Sequence, residues 1–194
     1  MVKLKYLLII FILLIHSINC FAQSDSTTTV SKKYKSLTVG FEIDALPYIT
    51  GGYYFSAWLG IKNIQQRIRP VYAKVNVPEF MFDTEAFDRN TIVVYAIIVD
   101  YFFKPEFKGI WIGTGIEYWD GEIEDKFSET AQYDNWIFTL GGGYVWKFWD
   151  NLYINPWIAG HLRIAGDEEV HVGSYTFSTP IFTPEVSLKL GWNF

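Results

Sequence analysis

Cysteine is nearly absent. The single one among 194 residues, Cys20, falls in a segment that reads as a removable leader, so the rest of the chain can form no disulfide and no paired-Cys zinc site. Basic residues are in deficit, 16 Lys and Arg against 21 Asp and Glu. That balance argues against a nucleic-acid partner, because phosphate contacts need the opposite sign. A long apolar run is missing too: the stretch 6–15 is ten residues, about half of the ~20 that a spanning helix requires. No phosphate loop, dinucleotide fingerprint or EF-hand spacing occurs, so neither cofactor nor metal enters the reading.

The N-terminus has the order of a secretory signal. Lys3 and Lys5 precede the apolar run, and His16, Ser17 and Asn19 lead to the small or narrow side chains of Cys20 and Ala22, which places cleavage between Ala22 and Gln23. Lipidation at Cys20 is set aside, since Asn19 precedes it and no leucine stands three places before. Losing 1–22 leaves 172 of the 194 residues, enough for one domain. It removes Lys3 and Lys5 and no acidic residue, taking the formal charge from −5 to −7. The stretch 23–36, rich in Ser, Thr and Lys, has no apolar period and reads as a flexible periplasmic arm.

Aromatic residues are in excess: 8 Trp, 13 Tyr and 16 Phe, or 19% of the chain. On short alternating segments such a load fits strands in a membrane interface, where Trp and Tyr keep one end apolar and one end wet. Period-two patterning predicts eight strands over 37–46, 52–62, 67–77, 92–103, 110–119, 135–147, 152–165 and 182–194. Their lengths match tilted membrane strands of ~9–11 residues plus overhang; soluble strands run about half as long. The connections 63–66, 104–109 and 148–151 are short, whereas 78–91, 120–134 and 166–181 are long and polar or acidic. Only 47–51 breaks the long set. This asymmetry predicts an all-β fold, an eight-stranded antiparallel up-and-down transmembrane β-barrel over 37–194 with both ends on the short-turn, periplasmic side. Pro70, Pro156 and Pro184 fall inside strands; a closed barrel has no edge on which to hide a missing donor, so each predicts a bulge or a strand end.

The last segment is the most legible. Phe182, Pro184, Val186, Leu188, Leu190, Trp192 and Phe194 point one way; Thr183, Glu185, Ser187, Lys189, Gly191 and Asn193 point the other. An amphipathic final strand ending in Phe, with apolar residues at alternate positions before it, resembles the C-terminal signature of outer-membrane barrel proteins of Gram-negative bacteria. The small OmpA- and OmpX-type barrels are the nearest class in architecture. The resemblance implies that Trp192 and Phe194 form a signal read by the barrel-assembly machinery. It identifies a class and no activity.

Extending the parity predicts a lumen containing Glu42, Asp44, Lys74, Asp100, Glu117, His161, Arg163, Glu185 and Lys189. Arg67 and Arg69 share the parity of Val71, Ala73, Val75 and Val77, which turns them towards lipid unless a bulge at Pro70 resets them or they lie at the periplasmic rim. Inward glycines such as Gly40, Gly60, Gly113 and Gly143 make room for Trp58, Trp111 and Trp157, so the lumen should be filled and carry no continuous channel.

Strand direction gathers His161, Arg163 and Glu185 near the outer mouth, beside Glu42 and Asp44. A His with carboxylates and an Arg is the one constellation with possible chemistry, as base, orienting acid and anion clamp. The same residues also make a salt-bridge network satisfying buried charge, which is what a narrow lumen ordinarily holds. Lipid A-modifying barrels use a serine beside such a histidine; 160–164 contains none, which leaves Ser174 and Ser178 in the next loop. Asp120, Glu122, Glu124 and Asp125, and Asp167, Glu168, Glu169 and His171, read as solvated acidic loops able to bridge divalent ions to lipopolysaccharide. The expectation is a non-enzymatic barrel with a plugged lumen, serving envelope structure or loop-mediated binding, with outer-membrane lipid and lipopolysaccharide around it. A lipid A-modifying enzyme centred on His161 is the first alternative. A soluble lipocalin-like periplasmic carrier, which would be apolar inside and polar outside, is the second.

Overall fold

Strict alternation begins at once. On β1 (Leu37–Asp44), Leu37, Val39, Phe41 and Ile43 are exposed while Thr38, Glu42 and Asp44 are buried. The same division of faces runs through β2 (Tyr53–Ile61), β3 (Gln66–Asn76), β4 (Phe87–Phe102), β5 (Gly109–Asp125), β6 (Thr130–Lys147) and β7 (Leu152–Gly166). Two short strands, β8 (Glu169–Val172) and β9 (Tyr175–Ser178), form a hairpin before β10 (Phe182–Asn193). The eight long strands close in the order β1-β10-β7-β6-β5-β4-β3-β2, every neighbour antiparallel. The computed structural model describes residues 37–194; the expected leader and arm lie outside the described residues.

All eight expected strands are present, and three are longer than expected. β4 starts at Phe87, β5 runs on to Asp125 and β6 starts at Thr130, so most of the acidic stretch 120–134 is strand and not loop. A row of outward aromatic residues explains the extension. Tyr72 pairs with Tyr95, Tyr95 with Tyr118 and Tyr118 with Trp136, their rings 5.3 Å apart at Tyr72–Tyr95 and at Tyr118–Trp136. Beyond that row the outward side chains turn polar, as at Asp120, Glu122, Asp134 and Gln132, while Ile123 and Tyr133 point in and are buried. An aromatic girdle between an aliphatic belt and a charged collar is the profile of strands leaving hydrocarbon for water. The alternation therefore continues past the girdle with its polarity inverted.

The prolines are accommodated without bulges. Pro70 and Pro156 point outward, and the register is continuous around each, with Ser56↔Val71 and Leu59↔Ile68 on one side and Gly143↔Trp157 and Trp146↔Ile154 on the other. Only the ladder rungs next to them are lost. Pro184 uses a different device. The Phe194 N–H donates to the Val39 carbonyl at 2.9 Å, so the even-numbered residues of β10 aim their backbone groups at β1. Yet β1 pairs with β10 only from Gly40↔Asn193 to Asp44↔Lys189. Above that, residues 182–188 of β10 pair with β7 alone, and the missing Pro184 donor faces a free edge, where proline is tolerated. The expectation of a bulge or a strand end is thus replaced by a local edge in a closed barrel. Beside that edge the chain leaves β1 as a five-residue helix, α1 (Ala45–Ile49), capped by Asp44 accepting from the Leu46 N–H at 3.1 Å.

The two ends are closed differently. At the turn end, Phe107 folds back into the barrel from the β4–β5 turn and packs on Trp58 and Phe102 at 5.9 and 5.2 Å. Its backbone takes φ 51°, a left-handed conformation uncommon for a bulky residue, in exchange for sealing the lumen. At the loop end, the β8–β9 hairpin turns Val172 and Phe177 inward, Phe177 meeting Phe87 and Tyr133 at 5.4 and 5.5 Å.

Candidate functional site

Lumen side chains fall into layers. Lowest is an aromatic plug of Trp58, Phe102, Phe107, Trp111 and Tyr153. Above it lies a closed quartet of charges. Arg67 donates to Asp100 at 2.7 Å and to Glu42 at 2.9 Å; Arg69 reaches Asp100 at 2.9 and 3.1 Å and Glu42 at 3.4 Å. None of the four side chains is more than 1% exposed. Two cations meet two anions, and Glu42 further accepts from the Tyr153 hydroxyl at 2.9 Å and from Asn155 Nδ2 at 3.2 Å. Indole rings complete the enclosure, Trp58 and Trp111 lying 5.2 and 5.8 Å from the Arg67 guanidinium. Buried charges persist only when paired and hydrogen-bonded in this way.

The expected single mouth cluster is therefore two clusters. Glu42 and Asp100 belong to the quartet, with Arg67 and Arg69, which parity turns towards lipid. The whole face of β3 carrying Arg67, Arg69, Val71, Ala73 and Val75 points inward, and Lys74 consequently points outward. The reversal comes from assigning aliphatic residues to lipid. A lipid-facing arginine costs about 2–4 kcal/mol at the bilayer midplane, so two arginines outweigh the preference of four aliphatics that can pack equally well inside.

The second cluster surrounds His161, whose Nε2 lies 2.8 Å from Glu185 Oε2 and whose Nδ1 lies 2.9 Å from Thr139 Oγ1. Thr139 in turn donates to Glu117 at 2.7 Å, and Trp119 Nε1 donates to Glu117 at 2.7 Å. Asp44 accepts from the Ser187 hydroxyl. The Lys189 Nζ, fully buried, sits 3.6 Å from the Trp157 ring centroid and 4.8 Å from that of Tyr54. Arg163 is not part of this cluster. It stands at the last position before a bulge in the β6–β7 register and meets Glu168, whose side chain is 83% exposed, at 3.5 Å. It neutralises neither Glu42, Asp44 nor Glu185.

The upper layer is apolar. Val71, Ala73, Ile92, Val94, Ala96 and Ile98 turn inward from β3 and β4 and face Ile137 and Phe177 around a cavity of about 560 Å³, with Asp44, Glu117, His161, Glu185 and Ser187 on its wall. The expected filled lumen holds for the turn half alone.

Remaining predicted groups are dispersed. Ser174 and Ser178 lie exposed on the hairpin, and neither hydrogen-bonds to His161, whose partners are those above. Asp120, Glu122 and Glu124 stand on the outer face of β5, Asp125 caps the β5–β6 turn by accepting from Phe127 and Glu129 N–H groups, and His171 meets Thr176 at 3.0 Å. Among the described residues no group of three or more His, Cys, Asp or Glu is placed to hold a metal ion. Trp192 and Phe194 point outward at the barrel's closure, where the Thr38 hydroxyl donates to the Phe194 carbonyl at 2.6 Å.

A closed eight-stranded barrel with an aliphatic belt outside and ionised groups inside has the architecture of small outer-membrane proteins, and it is the reverse of what a lipocalin-like carrier would need. Known structures agree on the fold. Neisserial surface protein A superposes with a TM-score of 0.51 at 9% identity, covering 81% of this chain and 94% of that one. The N-terminal β-barrel domain of Pseudomonas aeruginosa OprF gives 0.50 at 9%, covering 81% and 96%. A major outer membrane protein from Thermus thermophilus gives 0.53 at 10%, covering 81% and 98%. No protein-family model matches the chain, and no curated protein sequence does.

Proposed function

We propose that the protein resides in the outer membrane as a non-conducting, non-enzymatic barrel that serves the envelope structurally or binds through its loop half. The observation that carries this reading is the sealed turn half: Trp111 and Phe102 have no exposed surface, and the ion-paired quartet lies directly above them. Ions crossing the lumen would have to break that network and displace the rings. The aliphatic belt, with Ile97 and Ile158 each more than 60% exposed, supports residence in lipid, since a soluble monomer rarely exposes so continuous an apolar band. Trp192 and Phe194 would be the segment read by the assembly machinery, and acyl chains and lipopolysaccharide the surroundings.

Catalysis is disfavoured by hydrogen-bond direction at His161. As a carboxylate, Glu117 only accepts, so the Thr139 hydrogen points to it and the hydroxyl lone pair faces His161 Nδ1. A nucleophile would hand its proton to the imidazole, the opposite sense. Mature protein should fractionate with outer membranes and begin at Gln23; recovery from the soluble periplasm would refute residence. Reconstituted in planar bilayers it should give no conductance steps. Deleting Phe194 should impair assembly more than deleting 23–36, and equal yields of folded barrel would count against a terminal signal.

A further inference from the structure

We infer that the loop-half cavity takes a single-chain amphiphile with an uncharged or cationic hydrogen-bond-donor head, and that it enters sideways from the lipid through the seam between α1 and β10. This inference rests on membrane residence as proposed above.

The seam is a consequence of strand pairing. β1 ends at Asp44, while β10 continues upward for seven residues with no strand partner on that side among the described residues. The cavity reaches this gap, because its walls include Thr183, Glu185 and Ser187, which face inward, together with Pro184 and Val186 of the same strand, which face outward. A cavity touching both faces of one strand wraps around that strand's edge. Leu46 and Pro47 of α1 form the opposite lip. The quartet and aromatic plug close the cavity beneath, and Phe177 of the hairpin packs over part of the top, where Pro78, Phe80 and Met81 of the β3–β4 loop also line it. Outside the seam, Val186 is 69% exposed and Phe182 56%, so the opening faces the region that the aliphatic belt assigns to hydrocarbon.

The occupant follows from the walls. Val71, Val94, Ala96 and Ile98 offer an apolar bed of a size suited to one small ligand. Beside the lip the ionisable groups on the cavity wall are acidic: Asp44 and Glu185, with Glu117 behind. The Arg69 guanidinium is engaged by Asp100 and Glu42 and the His161 ring by Glu185; the Lys189 Nζ has no hydrogen-bond partner among the described residues, but it lies against the Trp157 and Tyr54 rings and is not on the cavity wall. An anionic head would meet two carboxylates on the wall itself, whereas a hydroxyl, amide or ammonium can donate to them. A second acceptor lies elsewhere on the cavity wall, the Asn135 Oδ1, which is buried with no hydrogen-bond partner among the described residues. A fatty acid anion is thereby disfavoured, and a monoacylglycerol, long-chain alcohol or alkylamine fits.

The test uses the full mature chain refolded in phosphatidylcholine vesicles, with N-phenyl-1-naphthylamine, a neutral fluorophore bearing one N–H, as probe. Saturable fluorescence enhancement is expected, displaced by monooleoylglycerol about tenfold more effectively than by oleate. Glu185→Gln should shrink that preference. Ala96→Trp, which fills the bed, should weaken probe binding about tenfold or more, with Val94→Phe as a milder filling should the first variant not fold. Val186→Trp at the lip should slow association while leaving the end point unchanged; if instead the probe enters from water through the mouth, Val186→Trp is silent and removing the hairpin residues 169–178 accelerates uptake, which would overturn the sideways route. Probe signal that never saturates above protein-free vesicles, or that survives both filling variants, would overturn the site. Equal displacement by oleate would overturn the head-group assignment. Because binding is measured on refolded protein whose folded state is checked by heat-modifiable gel mobility, a failure here is distinct from a failure of membrane residence, which fractionation reports.

Discussion

One face of β3 passes through two environments. Arg67 and Arg69 enter the turn half and are ion-paired there; Val71, Ala73 and Val75 enter the loop half and border open space. The turn half excludes everything, since its rings and ion pairs occupy the cross-section. The loop half keeps an apolar void beside a wall that does not close. The contrast shows that strand number alone does not decide whether a small barrel is filled: eight strands leave an interior just wide enough for side chains, and β-branched or alanine side chains occupy less of it than arginine and tryptophan do.

The largest expected effect comes from breaking the sealed half. Asp100→Ala strips two fully buried guanidiniums of their main acceptor and should cost about 3–5 kcal/mol, read by urea unfolding of the folded barrel in micelles; a loss below ~1 kcal/mol would show that water reaches the quartet. Overpacking sharpens the comparison next. A Cβ on Gly60 would lie 2.5 Å from the Phe107 ring, so Gly60→Val should destabilise by about 1–3 kcal/mol. Ala96→Leu, extending into the cavity, should stay within ~0.5 kcal/mol of the parent. Similar costs at the two sites would mean that the cavity is already collapsed. His161→Gln retains part of the hydrogen bonding and should cost about 1 kcal/mol, with lipid A unchanged by mass spectrometry of cells carrying it. A specific lipid A change at parent stability would revive an enzyme. Smallest is Arg163→Ala, below ~1 kcal/mol because its carboxylate partner is solvent-exposed.

Strand positions were legible because alternation survives wherever one face meets lipid, as from Phe182 to Trp192. Two kinds of residue mislead. Residues 120–134 read as loop because polarity on the outward face inverts above the girdle, although Gly121, Ile123, Tyr133 and Asn135 maintain the period inward. Lys74 and Arg67 exchange sides because Val71, Ala73 and Val75 look the same whether the apolar medium is lipid or a cavity. Burial of His161 with Glu185 was readable from parity; its attachment to Thr139 and Glu117 was not, because it depends on the relative stagger of β5, β6 and β7, which hydropathy does not encode. Pro184 did carry a signal, since a proline within a strand predicts an interrupted ladder, and at Pro184 the interruption is the free edge above the β1–β10 pairing.

That edge also bears on how the barrel comes together. The β1–β10 ladder has five register pairs, against eleven for β10–β7, and it joins the most distant parts of the chain, with Thr38 and Phe194 separated by 156 positions. Hairpins that pay little loop entropy can form while this clasp is still apart, since non-local pairing is the slow step in sheet assembly. The clasp should therefore be the last ladder to zip and the first to release its amide protons to exchange, so that the open form of the sheet is parted at Gly40–Asp44 and not at any of the other seven contacts.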